Sequence, residues 1–156
     1  MGAWFRWLKD LWLGKRQLGQ TTERATAVLT AATVPIFTIS GGRIKVTQII
    51  GEITTAIQVL ATNVSLSAIP TVGTARALCV PTNISGYALG DLLGIDGINT
   101  SALLPPVSSG VVEAQTMGVI VQEGVINVIS NSAPTGSIKW TLKWVPIDEG
   151  AAVAAA

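Results

Sequence analysis

The side chains that carry most enzymatic chemistry are nearly missing from this chain. It contains no histidine and a single cysteine, Cys79. Without imidazole there is no Ser-His-Asp or Cys-His arrangement, and no general base with the usual pKa near neutrality. One cysteine without histidine does not make a zinc site of the usual kind. Cys79 lies in the apolar run 77–80 with no obvious activating partner, so it reads as a buried thiol. Carboxylates are what remains. Asp91 and Asp96 flank Leu-Leu-Gly-Ile, and Asp148-Glu149 stands near the end. A carboxylate pair can serve glycoside hydrolysis or hold calcium. The spacing fits no EF-hand loop, however, and the simpler reading makes Asp96-Gly97 a turn and Asp91 a helix cap. The glycines of 86–97 follow neither dinucleotide-binding nor P-loop spacing. The expectation is a non-enzymatic chain with no cofactor and no metal.

The sharpest pattern is apolar rather than catalytic. Trp4, Trp7, Leu8, Leu11 and Trp12 recur at i, i+3, i+4, i+7 and i+8, a single stripe of a helix over 3–13. Phe5 and Leu13 widen the stripe, and Arg6, Lys9 and Asp10 lie away from its centre. Gly14 is placed to end the helix, with Lys15 and Arg16 at its negative end. Eleven residues make a marginal helix in water, so the segment orders when its aromatic face is covered. Three covers are open: a groove on a partner protein or neighbouring copy, the chain's own domain, or a membrane surface. The first is preferred, because aromatic anchors dominate interface energetics. Trp4, Phe5, Trp7, Leu8, Leu11 and Trp12 are therefore the candidate partner-binding residues.

The elements behind this stripe differ in kind. Charged residues make up 12% of the chain, about half the usual share in soluble domains. Thr, Ser, Asn, Gln and Gly replace them, which suits a surface that spends its life docked. Residues 1–16 carry Arg6, Lys9, Lys15 and Arg16 against Asp10, a local charge of +3, whereas the remainder carries −2. The net charge of +1 gives no field for nucleic acid, which is not an expected partner. The uncharged stretches 25–42 and 56–75 are too polar, and too interrupted by Pro35 and Pro70, for membrane-spanning helices. Arg6, Lys9 and Asp10 also break any secretory signal.

From residue 23 the period becomes two and Thr, Val and Ile take over, as suits a pleated, half-buried surface. Strands are expected near 24–30, 33–40, 43–50, 52–60, 62–67, 74–80, 111–121, 124–130 and 137–145. Gly41-Gly42, Gly51, Pro70, Gly73, Pro81, Gly124 and 134–136 act as breakers. In 137–145, Ile138, Trp140, Leu142 and Trp144 alternate with Lys139, Thr141 and Lys143, so the tryptophans face a core and the lysines face away. The last three strands read as an antiparallel meander. Residues 84–110 form a long irregular connection, with a short helix expected near 89–93, and could serve with Tyr87 as a sugar- or receptor-binding loop. The expected fold class is an all-β sandwich, jelly-roll or Greek-key like, with a short N-terminal amphipathic helix. The expected divisions are an anchor helix at 1–16, a linker at 17–22, a β-sandwich domain at 23–147 and a C-terminal arm at 148–156.

The segment SNSAPTGSIKWTLKWVPIDEGAAV, 130–153, resembles the carboxyl-terminal strands of small tailed-bacteriophage virion proteins. A β-turn, a strand of the KWTL type, a proline and an acidic DEGA stretch carry the likeness. The charge-poor, Thr/Ala/Gly/Val-rich body is similar to head decoration, or cement, proteins. The resemblance covers roughly 111–153 and brings no catalytic residues. It implies a capsid decoration protein, made in the host cytoplasm and located on the virion's capsid surface. Its implied partner is the major capsid protein or another virion protein, with self-association as a homotrimer. A tail, baseplate or head-fibre component, or a carbohydrate- or receptor-binding β module, is the alternative, and membrane contact ranks below protein contact.

Overall fold

A computed structural model describes residues 19–156. The anchor-helix residues Trp4, Phe5, Trp7, Leu8, Leu11 and Trp12 lie outside the described residues. In chain order the strands are β1 (Gln20–Glu23), β2 (Ala27–Val28), β3 (Thr33–Ser40), β4 (Ile44–Thr55), β5 (Asn63–Pro70) and β6 (Arg76–Ala77). They continue with β7 (Thr82–Asn83), β8 (Leu92–Gly94), β9 (Val119–Val121), β10 (Gly124–Ser130), β11 (Ser137–Pro146) and β12 (Ala152–Ala155). All pairings are antiparallel, in two sheets.

In the first sheet β11 and β4 run side by side at the centre. The short strands β1 and β2 flank β11, and β8 and β9 flank β4. The second sheet has the order β12-β3-β10-β5, with β6 and β7 sharing the far side of β5. Three of the four edges are thus split into pieces of two to four residues, a common way to blunt a pairing-competent edge. One apolar core joins the sheets: Ile36, Phe37, Ile39, Leu66 and Ile126 from the second meet Ile44, Ile49, Ile53, Trp140 and Leu142 from the first. The layer class is all-β, as the period-two pattern requires.

The alternation in β11 translates directly into burial. Ile138, Trp140, Leu142 and Trp144 are buried, while Lys139, Thr141 and Lys143 are not. The indole N–H of Trp144 donates to Thr22 Oγ1 at 3.0 Å, which ties β1 to the core-facing side of β11.

Several expectations need correction. The expected strands 43–50 and 52–60 are replaced by one twelve-residue strand, Ile44–Thr55, that runs through Gly51, and 56–60 lie outside it. Gly51 pairs with Trp140, and a Cβ there would lie 2.7 Å from the indole ring, so this glycine marks a close approach and not a turn. The C-terminal meander does not form. Strands β9 and β11 belong to the first sheet, whereas β10 lies in the second between β3 and β5. The same switching occurs from β3 to β4, at Gly41-Gly42, and from β4 to β5, through the glycine-free segment 56–62. No helix forms near 89–93. Leu92–Gly94 is β8, held against Ile50–Glu52 of β4. Of the expected strand 111–121 only Val119–Val121 pairs, and of 74–80 only Arg76–Ala77.

The ends of the described chain are built into the sheets. Strand β1 starts inside the segment 17–22, and β12 lies within the segment 148–156, paired with Phe37–Ser40 of β3. Gly41 and Gly42, both at positive φ, let the C-terminal segment pass at close range. Their Cβ positions would meet Gly150 O at 2.4 Å and Asp148 Cβ at 2.6 Å. Asp148 then closes the corner, accepting from Arg43 Nε (2.9 Å), Arg43 Nη2 (2.7 Å) and the Arg43 backbone N–H (2.7 Å). This fork of donors holds the Asp148 carboxyl well below the ordinary carboxylate range, with its exposure to water limiting the energetic consequence.

Candidate functional site

The two sides of the sheet pair are unlike. On one side β1 and β12 are stitched together: Thr22 Oγ1 donates to Val153 O at 3.5 Å, and Arg24 Nε donates to Ala156 O at 3.0 Å. On the other side the terminal strands β9 and β6 stand apart and leave an open groove. Buried Ala68, Leu78 and Val121 form its floor. Pro70, Val72 and Arg76 rise on the second-sheet side, and Val119, Ile120 and Gln122 on the first-sheet side. The groove holds about 250 Å³. A second hollow of about 310 Å³ adjoins it, sharing Arg76, Leu78, Val119 and Ile120 and ending at Gly97 and Asn99.

The groove presents apolar side chains at the surface. Val72 is 78% exposed and Ile120 65% exposed, although both are β-branched residues of the kind that cores usually take. Among the described residues strand β9 pairs with β4 alone and β6 with β5 alone, so there each has a further hydrogen-bonding edge. Close packing fixes the rim. Met117 N donates to Asp96 O at 2.9 Å, and a Cβ on Gly97, at φ +94°, would meet Met117 O at 2.1 Å. A Cβ on Gly118 would meet the Lys45 side chain at 2.3 Å. The chemistry on offer is apolar burial plus one guanidinium, Arg76, which can stack on an aromatic face.

Asp91, Asp96 and Cys79 are engaged outside the groove. Asp91 Oδ2 accepts from the Ala88 N–H at 2.6 Å, and Asp96 Oδ1 accepts from the Ile98 N–H at 2.7 Å, so each carboxylate closes its own turn. Among the described residues no group of three or more His, Cys, Asp or Glu could hold a metal ion. Cys79 is buried, and its sulfur accepts the Leu66 N–H at 3.3 Å. Desolvation pushes its pKa up to about 11, which disfavours the thiolate at neutral pH. Tyr87 is buried with its hydroxyl donated to Pro105 O at 3.1 Å, which withdraws it from the sugar-stacking role considered for the loop 84–110. Burial raises its pKa, with Asp91 adding to the effect. Among the described residues no helix is long and apolar enough to cross a membrane.

Sequence reasoning missed the groove. It pointed to residues 3–13, but not to Val72, Arg76, Val119 or Ile120. The Val-Ile-Val run of 119–121 reads as a wholly buried strand, and nothing in it tells that Ile120 faces out.

No protein-family model matches the chain, and no curated protein matches it. A solved structure titled "Structure of infectious bursal disease virus Gx strain" aligns over 86% of this chain at 12% identity and a TM-score of 0.23. The alignment covers 33% of that chain, so the present chain spans about a third of its length. A likeness at that TM-score carries no argument about fold or function.

Proposed function

We propose that this chain is a non-enzymatic virion structural protein, of the kind that decorates and stabilises a phage head shell. The observation that carries the reading is the exposed apolar groove between β6 and β9 on a body that has little charge. Such a surface is poorly suited to a free monomer and well suited to docking. The occupied carboxylates and the buried thiol favour a non-catalytic role. The resemblance of 130–153 to phage virion strands gives the class of assembly.

In this reading the chain is a jelly-roll-like sandwich that self-associates, as a homotrimer, on a lattice of the major capsid protein. Trp4, Phe5, Trp7, Leu8, Leu11 and Trp12 form the anchor, and repeated weak contacts across the lattice multiply into firm attachment. The test is co-sedimentation of the full chain with particles from the host that produces it. Replacing Trp4, Trp7 and Trp12 together by alanine is expected to abolish attachment while the circular dichroism of the β body stays unchanged. Undiminished attachment of that variant would remove the anchor from the account.

A further inference from the structure

We propose that copies of this chain meet one another through the outer face of the second sheet, the face that β12, β3, β10, β5, β6 and β7 turn away from the core. This rests on the self-association in the reading above and names its surface. It leaves the groove between β6 and β9 to a shell protein.

Charge sets this face apart. Among the described residues the six strands contain one charged side chain, Arg76. Arg76 pairs with Ala68 of the core and lines the groove, so it does not stand on the outer face. Val64, Leu66 and Ala68 of β5 point into the core, which turns Ser65, Ser67 and Ile69 outward. Ile126 and Val128 of β10 do the same for Asn127 and Ile129, and exposed Thr38 of β3 stands beside Val125. The first sheet is the opposite case. Its outer face carries Lys45 and Glu52 on β4 and Lys139 and Lys143 on β11, and Lys139 bridges to Glu23 of β1 at 3.1 Å. A solvated sheet face ordinarily keeps such charges, because they maintain solubility and discourage association.

Composition then selects the occupant. A surface laid on this face must bring no unpaired charge into a dry contact. It must also answer Ser67 Oγ, which is buried without a hydrogen-bond partner among the described residues and lies on the residue opposite Asn127. A second copy meets both demands with the same face. It brings Ile69 and Ile129, which are 39% and 36% exposed, for apolar burial, and Thr38 and Asn127 as uncharged donors and acceptors. The first-sheet face would instead carry its lysines into the contact. Area is sufficient as well. Each residue covers about 16 Å² of sheet plane, so the six strands present about 500 Å². Two such faces together bury about 1,000 Å², the extent at which a specific contact begins.

The experiment is sedimentation equilibrium of the full chain over a dilution series, with circular dichroism as the check on folding. The expected mass of the unaltered chain exceeds one copy and falls on dilution. Thr38→Lys combined with Ile69→Lys places two positive charges on the face, both on exposed side chains. Like charges then oppose one another across the contact, and association should weaken by more than about a hundredfold. Gln48→Lys puts the same charge on the first-sheet face, opposite Lys143, and should leave the mass unchanged. Thr38→Glu combined with Ile69→Glu should be monomeric alone and should associate again when mixed with the lysine variant, a rescue that a misfolded variant would not give. Three results would overturn the proposal. One is a monomer at every concentration of the unaltered chain. Another is association that survives both charged pairs. The third is a mixture of the two variants that stays monomeric. Absence of the chain from purified particles, by contrast, would sink the virion reading and leave this contact standing.

Discussion

Gly51→Ala isolates the closest packing decision in the core. Gly51 sits in the middle of β4 opposite Trp140 of β11. A methyl group there would lie 2.7 Å from Cζ3, 2.9 Å from Cη2 and 3.1 Å from Cε3 of an indole that is 1% exposed. All three are atoms of the six-membered ring, rigidly held, so either the ring or the strand must shift. Overpacking of this kind costs about 1–3 kcal/mol. Gly51 is not among the positive-φ glycines, so alanine brings no backbone strain and recovers about 0.5–1 kcal/mol of chain entropy. The net expectation is a loss of about 1 kcal/mol and at most about 2.5 kcal/mol. Calorimetry should show a Tm lower by about 2–4 °C for each kcal/mol in a chain of this size. Trp140→Phe removes part of the obstructing ring, so the double variant should be less damaged than the sum of the two single ones. A raised Tm for Gly51→Ala, or strict additivity with Trp140→Phe, would refute the packing argument.

Thr22→Val leaves the Trp144 indole N–H without its acceptor, and chemical denaturation should show a loss of about 1–3 kcal/mol. The Asp148 carboxyl is depressed by Arg43, so its contribution is present above the ordinary carboxylate range and is lost as pH falls below it. Protection of Ala152–Ala155 against hydrogen exchange, taken relative to the intrinsic rate at each pH, should therefore fall in acid, and also in Asp148→Asn at neutral pH, with added salt weakening the difference. Cys79 should resist thiol reagents in the folded protein at pH 8 and react fully in denaturant. Because its pKa rises from 9.0 to about 11 on folding, its effect on stability is neutral below 9 and becomes a loss as pH climbs from 9 toward 11.

Particular residues show how far the sequence could be read. The period of two in 137–145 predicted which face of β11 is buried, because side-chain direction in a strand is a local property. Strands at 33–40 and 124–130 were legible with their observed bounds for the same reason. Neighbours are not local. Gly124 looked like a hairpin turn but carries the chain between sheets, where a Cβ would meet Ile69 O at 2.2 Å. Gly51 looked like a breaker because glycine's sequence signal is the same for a turn and for a close approach. The Ala-rich stretch 152–155 has no amphipathic pattern of its own and becomes a strand because β3 offers an edge. The groove joins residues near 70 with residues near 120, a proximity that only the sheet order creates. The tryptophan spacing at 3–13 is a pattern of the sequence alone, and it lies outside the described residues.

Copy number tests the central claim most directly. Quantitative mass spectrometry of purified particles would compare this chain with the major shell protein. A decoration role predicts a ratio of order one per shell subunit. A handful of copies per particle would instead place the chain in a tail or fibre, and complete absence from particles would contradict the virion account altogether.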